Sequence, residues 1–168
     1  MTDFAALIRI LASNQVEFIL VGGAAATAHG SARLTEDLDI VYRRTPDNMA
    51  RLASSLAPYK PYLRGAPPGL PFGWDAASLA RGLNFTLITD LGALDLLGEI
   101  TEGGRYEDLL PHTIILNLFG VSCRCIELQR LIEVKRAAGR PRDLEAVAEL
   151  EALFDELNKK SDRDTRDT

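Results

Sequence analysis

Val16-Glu17-Phe18-Ile19-Leu20-Val21-Gly22-Gly23-Ala24-Ala25-Ala26-Thr27-Ala28-His29-Gly30, followed by Thr35-Glu36-Asp37-Leu38-Asp39-Ile40-Val41-Tyr42, decides the fold. The apolar run over 16–21 stops at two glycines, which is how a buried strand reads. The alanine-rich stretch 24–29 favours a helix, and Gly30 ends it. Residues 31–37 form a connection, and 38–42 predict a second strand.

Outward from this centre, Phe4, Leu7, Ile8 and Leu11 recur at helical spacing and predict a helix over 3–12, broken by Ser13-Asn14-Gln15. Thr45-Pro46 starts a helix, with Thr45 as cap and proline in the first turn, running to about Ala57. The Pro/Gly-rich stretch 58–75 reads as a loop. Two hairpins follow, 84–89 with 93–97 across Asp90-Leu91-Gly92 and 113–118 with 121–126 across Phe119-Gly120. Between them Gly103-Gly104 marks a turn and Tyr106 to Leu110 a short helical piece. A helix over 127–138 is interrupted by Gly139-Arg140-Pro141, and a last helix covers about 142–157. The polar, alternately charged stretch 158–168 predicts a disordered tail. The expectation is one α+β domain over 1–157, with a mixed or antiparallel sheet, helices packed against it and a C-terminal helix pair.

The bulk numbers set limits. A chain of 168 residues fits one domain and needs no disulfide or metal staple to fold. A net charge of −5 argues against a general grip on long nucleic acid, although basic residues gather between Arg124 and Arg142. No stretch reaches the ~18 apolar residues of a membrane helix, and Met1-Thr2-Asp3-Phe4 does not start a signal peptide. A cytoplasmic protein is expected. Cys123 and Cys125 alternate onto one strand face and read as small buried side chains, because no further pair of ligands stands near them.

The chemistry lies in the acids. Residues two apart in a strand share a face about 6.6–6.8 Å apart, so Asp37 and Asp39 point the same way from an apolar strand. Two such carboxylates repel unless a cation or water intervenes. A hard cation such as Mg2+ takes few protein carboxylates and completes its shell with phosphate and water. Two such metals can clamp the attacking and leaving oxygens of a phosphoryl displacement. The alternative is a solvated acidic strand end. Asp95, in Ala93-Leu94-Asp95-Leu96-Leu97, is an acid inside a hydrophobic strand, which is unfavourable unless it is paired or bound to metal. It would complete a three-carboxylate site as general base or metal ligand. Asp90 and Glu99 are the competing choices, Asp90 better suited to its turn. Gly22 and Gly23, at a helix start, can bring backbone N–H groups against a phosphate. Lys135 shares an apolar helix face with Leu128, Leu131 and Ile132. It either reaches phosphates or snorkels to water. Arg33 and Thr35 precede the acidic strand and could touch phosphate. His29 reads as structural, His112 as surface, and Trp74 as a hydrophobic plug more than a base-stacking group.

Together, strand–Gly22-Gly23–helix, Thr35-Glu36-Asp37-Leu38-Asp39-Ile40 and the lone Asp95 resemble the nucleotidyltransferase superfamily related to DNA polymerase β. The layout over about 14–152 is similar to small bacterial members, including AbiEii-type toxins. Lys135-Arg136-Ala137-Ala138-Gly139-Arg140-Pro141-Arg142-Asp143 extends the likeness, with Arg142 where a lysine is common. Gly23 stands where many relatives carry serine, which keeps a backbone contact and loses a hydroxyl. The resemblance implies transfer of a nucleoside monophosphate from an NTP, with Mg2+ or Mn2+ on Asp37, Asp39 and Asp95. Gly22, Gly23, Arg33, Thr35, Lys135 and Asp143 would serve the nucleotide, Asp143 through Lys135 or the acceptor. The acceptor could be tRNA, a protein side chain or a small antibiotic, and an antitoxin could be the partner of a toxin. The rival class is a non-catalytic nucleotide- or partner-binding protein on the same fold.

Overall fold

The computed structural model describes residues 1–167. In chain order the elements are α1 (Phe4–Ser13), β1 (Phe18–Val21), α2 (Gly22–Ala28), β2 (Asp37–Tyr42), α3 (Pro46–Leu56), β3 (Tyr62–Leu63), α4 (Ala76–Arg81), β4 (Asn84–Thr89), β5 (Gly92–Leu97), β6 (Glu99–Ile100), β7 (Gly104–Arg105), α5 (Tyr106–Leu109), β8 (Thr113–Leu118), β9 (Val121–Ile126), α6 (Leu128–Ala138) and α7 (Pro141–Arg166). Seven strands form one mixed sheet in the order β3-β4-β5-β2-β1-β9-β8, and β6 and β7 make a small separate hairpin.

All four residues of β1 are buried, so both faces of the sheet are covered at its centre. β1 runs antiparallel to β2 and parallel to β9, while β2 runs parallel to β5. Leu38, Ile40, Leu94 and Leu96 are fully buried, and they lie on the face of β2 and β5 opposite their acids. Local chemistry starts the helices. Asp3 accepts a hydrogen bond from the Ala6 amide, and Thr45 accepts one from Asn48 with Pro46 at the first helical position. Gly139, left-handed at φ 69°, closes α6.

The structure departs from the sequence expectations in several places, among them a short helix α4 where none was expected. α2 starts at Gly22 rather than at residue 24. The stretch 58–75 is not all loop, because β3 pairs with β4 and thereby registers the residues after it against the sheet. The expected tail is also different. α7 is helical to Arg166, so 158–166 is helix and Thr168 lies outside the described residues. Asp155–Lys159, Glu156–Lys160 and Asp162–Arg166 each place an acid four residues before a base, the order that supports a solvated helix without a core. Among the described residues no helix is long and apolar enough to cross a membrane.

Candidate active site

The parallel register of β2 and β5 sets Asp37 opposite Ala93 and Asp39 opposite Asp95. Side chains at paired positions share a face, so three acids from two strands converge. Asp39 and Asp95 are in direct hydrogen-bonding contact. Burial, this contact and the charges of Asp95 and Asp37 push the Asp39 carboxyl up to about 7, with Lys135 pulling the other way. Its Oδ1 is buried with no hydrogen-bond partner. A buried acceptor without a donor is rare and points to an ion or water at that atom.

Gly22 lies against these acids. It has φ +63°, and a Cβ there would overlap Asp39 Oδ2. Both the left-handed backbone and the close approach require glycine. Gly23 meets a different neighbour. A Cβ on it would sit 2.7 Å from Thr35 Oγ1 and 2.9 Å from Thr35 Cβ. Thr35, whose hydroxyl donates to the Asp37 carbonyl at 3.2 Å, therefore leaves no room for a side chain at position 23.

Two cavities meet at Asp39. One, of about 380 Å³, holds Gly22, Gly23, Arg33, Thr35, all three acids, Lys135, Arg140 and Arg142. The other, of about 450 Å³, shares Gly22, Asp39, Lys135, Arg140 and Asp143 and adds both aliphatic groups (Leu97, Ile100, Ile126, Leu131, Val134) and polar ones (Asn84, Glu99, Thr101). The first offers cations and backbone N–H groups suited to a polyphosphate. The second suits a group with polar and apolar faces.

Lys135 lines both cavities. Burial lowers its pKa, and Asp143 and Asp39 work against that. Asp143 is buried at 4% exposure. Burial alone would raise its carboxyl, but the Arg140 guanidinium, with Nε at 2.6 Å, outweighs it and holds the pKa low. Asp143 is thus a charged partner of Arg140 that also faces Lys135. Arg33 is engaged on the surface, 3.7 and 3.6 Å from Glu145 and Glu149 of α7.

Arg64, absent from the sequence reading, enters the acidic cluster. Its guanidinium lies 2.9 Å from Asp95 Oδ1 and 3.5 Å from Asp37 Oδ2, and it donates to the Leu87 carbonyl at 2.7 Å. No local pattern marks it, because its role comes from β3 pairing with β4 across more than twenty residues. Among the described residues, no group of three His, Cys, Asp or Glu side chains is disposed as a metal cage.

The remaining candidates are structural. His29 Nε2 contacts the Ile126 carbonyl at 2.7 Å, tying the end of α2 to β9. Trp74 Nε1 donates to the Ala53 carbonyl at 2.8 Å and packs on the core. His112 lies near Glu127. Asp90 sits in its turn, whereas Glu99, which faces Arg105, also lines the second cavity. Cys123 and Cys125 are buried free thiols. In the basic stretch, Arg130, Arg136 and Arg140 pair with Glu133, Glu151 and Asp143, which reduces the charge available to a nucleic acid.

Comparison with known proteins identifies the architecture. No protein-family model matches the sequence, and no characterised protein matches it by sequence. The fold is similar to that of a protein assigned as a nucleotidyltransferase from Thermotoga maritima, with TM-score 0.54 and 14% identity, covering 95% of this chain and 96% of that one. It is similar to a lincosamide antibiotic adenylyltransferase solved with lincomycin bound, with TM-score 0.57, 15% identity and coverage of 88% and 94%. It is also similar to an antigenic nucleotidyltransferase-like protein from Paracoccidioides brasiliensis, with TM-score 0.51, 16% identity and coverage of 93% and 85%. The chain has the nucleotidyltransferase fold.

Proposed function

We propose that this chain transfers a nucleoside monophosphate from an NTP to an acceptor hydroxyl, releasing pyrophosphate. The observation that carries the reading is the parallel register that sets Asp39 beside Asp95, next to Asp37 and under Gly22. The donor set fits a divalent cation. It is made of hard carboxylate oxygens, one of them buried without a partner, on a side chain that resists ionising until a positive charge arrives. Asp37 and Asp39 would hold Mg2+ or Mn2+, and Asp95 completes the cluster. Once bound, the cation would neutralise phosphate charge and polarise the reacting phosphoryl group.

The chain's own groups supply the rest. Backbone N–H groups at Gly22 and Gly23 and the Lys135 ammonium hold the triphosphate, with Arg33, Thr35 and Arg142 at the rim of the same cavity. Asp143 and Arg140 set the charge around Lys135. Asp95 accepts the proton of the acceptor hydroxyl, whose oxygen forms the new bond to the α-phosphorus as the bond to pyrophosphate breaks. Rate comes from positioning and charge neutralisation. The part-aliphatic, part-polar cavity and the net charge of −5 favour a small acceptor with polar and apolar faces over a long RNA. Such an acceptor is in keeping with the lincosamide antibiotic adenylyltransferase that shares the fold.

The test is incubation with labelled NTPs and, separately, total tRNA, cell extract and a panel of hydroxylated antibiotics. Label should move to one acceptor class and stop in Asp37→Asn and Asp39→Asn with the fold intact. Equal turnover in those variants would sink the proposal. A toxin with an antitoxin partner is the finer reading that the AbiEii-like layout supports. It predicts growth arrest on expression that Asp39→Asn relieves. The non-catalytic alternative predicts Mg2+-dependent thermal shifts with NTPs and no labelled product.

A further inference from the structure

We infer that Arg64 stands in the place of a second metal ion, so that this nucleotidyltransferase site holds one divalent cation rather than two. The inference rests on the proposed function above and concerns how the three acids divide their partners.

A cation bridging Asp37 and Asp95 would have to occupy the space of the Arg64 guanidinium, which spans these two carboxylates at 3.5 and 2.9 Å. The arginine is fixed there. Its backbone amide donates to the Thr86 carbonyl at 3.0 Å, and its guanidinium donates to the Leu87 carbonyl at 2.7 Å. Both acceptors belong to β4, on which β3 is registered. The Arg64 side chain is only 29% exposed. It lies against two of the three carboxylates of the cluster.

One position is left. Asp39 Oδ1 is buried without a hydrogen-bond partner, and Asp39 has no ion pair with Arg64. A single divalent ion on Asp37 and Asp39 would use it, while Arg64 neutralises Asp95 beside them. The charges agree with this division. Three carboxylates against Arg64 and Lys135 leave one net negative charge, which one divalent ion turns positive and ready for a triphosphate. Two divalent ions beside Arg64 would raise the local charge to about +3 at short range, with strong mutual repulsion.

Counting bound Mn2+ tests this without any turnover. The intact chain is titrated with Mn2+ alone at pH 8, and free ion is read by its electron paramagnetic resonance signal. Wild type should bind one Mn2+ per chain. Arg64→Gln should bind two, or bind the first at least tenfold tighter. Arg64→Lys, which keeps the charge, should bind one. Far-UV circular dichroism confirms folding of each variant, and the wild-type count decides even if Arg64→Gln does not fold. Two ions in wild type overturn the inference, as does Arg64→Gln binding like wild type. Absence of any Mn2+ binding in all three overturns the metal-dependent reading itself, a distinguishable failure.

Discussion

Replacing Asp39 with asparagine should make the metal-free protein more stable. Asp39 titrates near 7 instead of its ordinary 3.8 because it is buried and crowded by Asp95 and Asp37. A shift of about three units corresponds to about 4 kcal/mol of native-state penalty once the group is ionised. Because Asp39 is only partly buried, about 2–4 kcal/mol is expected. The native state holds this proton more tightly than the unfolded chain does. Stability therefore falls as pH rises from about 4 to about 7 and then levels off. Asparagine has no such proton, keeps the shape and can donate to Asp95. At 2–4 °C per kcal/mol for a chain of this length, Asp39→Asn should melt about 4–16 °C above wild type at pH 8 in chelator. The gap should close towards pH 4. Adding Mn2+ should raise wild type and leave the variant unmoved. Differential scanning calorimetry across this pH range reads all of it. A variant that melts at or below wild type at pH 8, or a gap independent of pH, would refute the reasoning. The predicted gain is the familiar trade of stability against a charged site.

Lys135→Ala should weaken NTP binding at least tenfold by isothermal titration while leaving the melting temperature within a few degrees, since it removes a half-buried charge the fold does not need. Gly23→Ser alone should disrupt binding and stability because its Cβ meets Thr35 at 2.7 Å. Gly23→Ser with Thr35→Ala should recover part of both, so a double-mutant cycle by thermal melting should give a coupling of about 1 kcal/mol or more. Thr45→Ala removes the cap on the Asn48 amide and should lower stability by about 1 kcal/mol in urea denaturation, with NTP affinity unchanged. The Cys125 thiol, pushed up to about 12 chiefly by burial, should resist iodoacetamide at pH 8 until the chain is unfolded.

The central elements were legible because their signals are local. A strand ended by two glycines, a Thr-Pro helix start and acid-leucine-acid each need only a few neighbours to be read. The convergence of Asp39 with Asp95 was legible as chemistry, since an acid in an apolar strand requires a partner. The register that joins them spans more than fifty residues and is visible only in the sheet. Arg64 was hidden by its setting. In a Pro/Gly-rich stretch nothing marks one arginine over another until β3 docks on β4. The short α4, capped by Asp75 on the Ser78 amide, lies in a stretch to which the periodicity assigned nothing. The far end of α7 was misread because charged composition suggests disorder, while its acid-to-base spacing at four residues suits a helix.

The site is scattered along the chain, from Gly22 through Arg64 and Asp95 to Lys135 and Asp143. A ribosome making this protein thus releases the glycine turn and first two acids long before the third acid and the lysine exist. No truncated product ending before α6 can hold the triphosphate as proposed. The proposed activity would arrive only when the last quarter of the sequence docks, and a protease that removes α6 and α7 would abolish it without touching Asp37, Asp39 or Asp95.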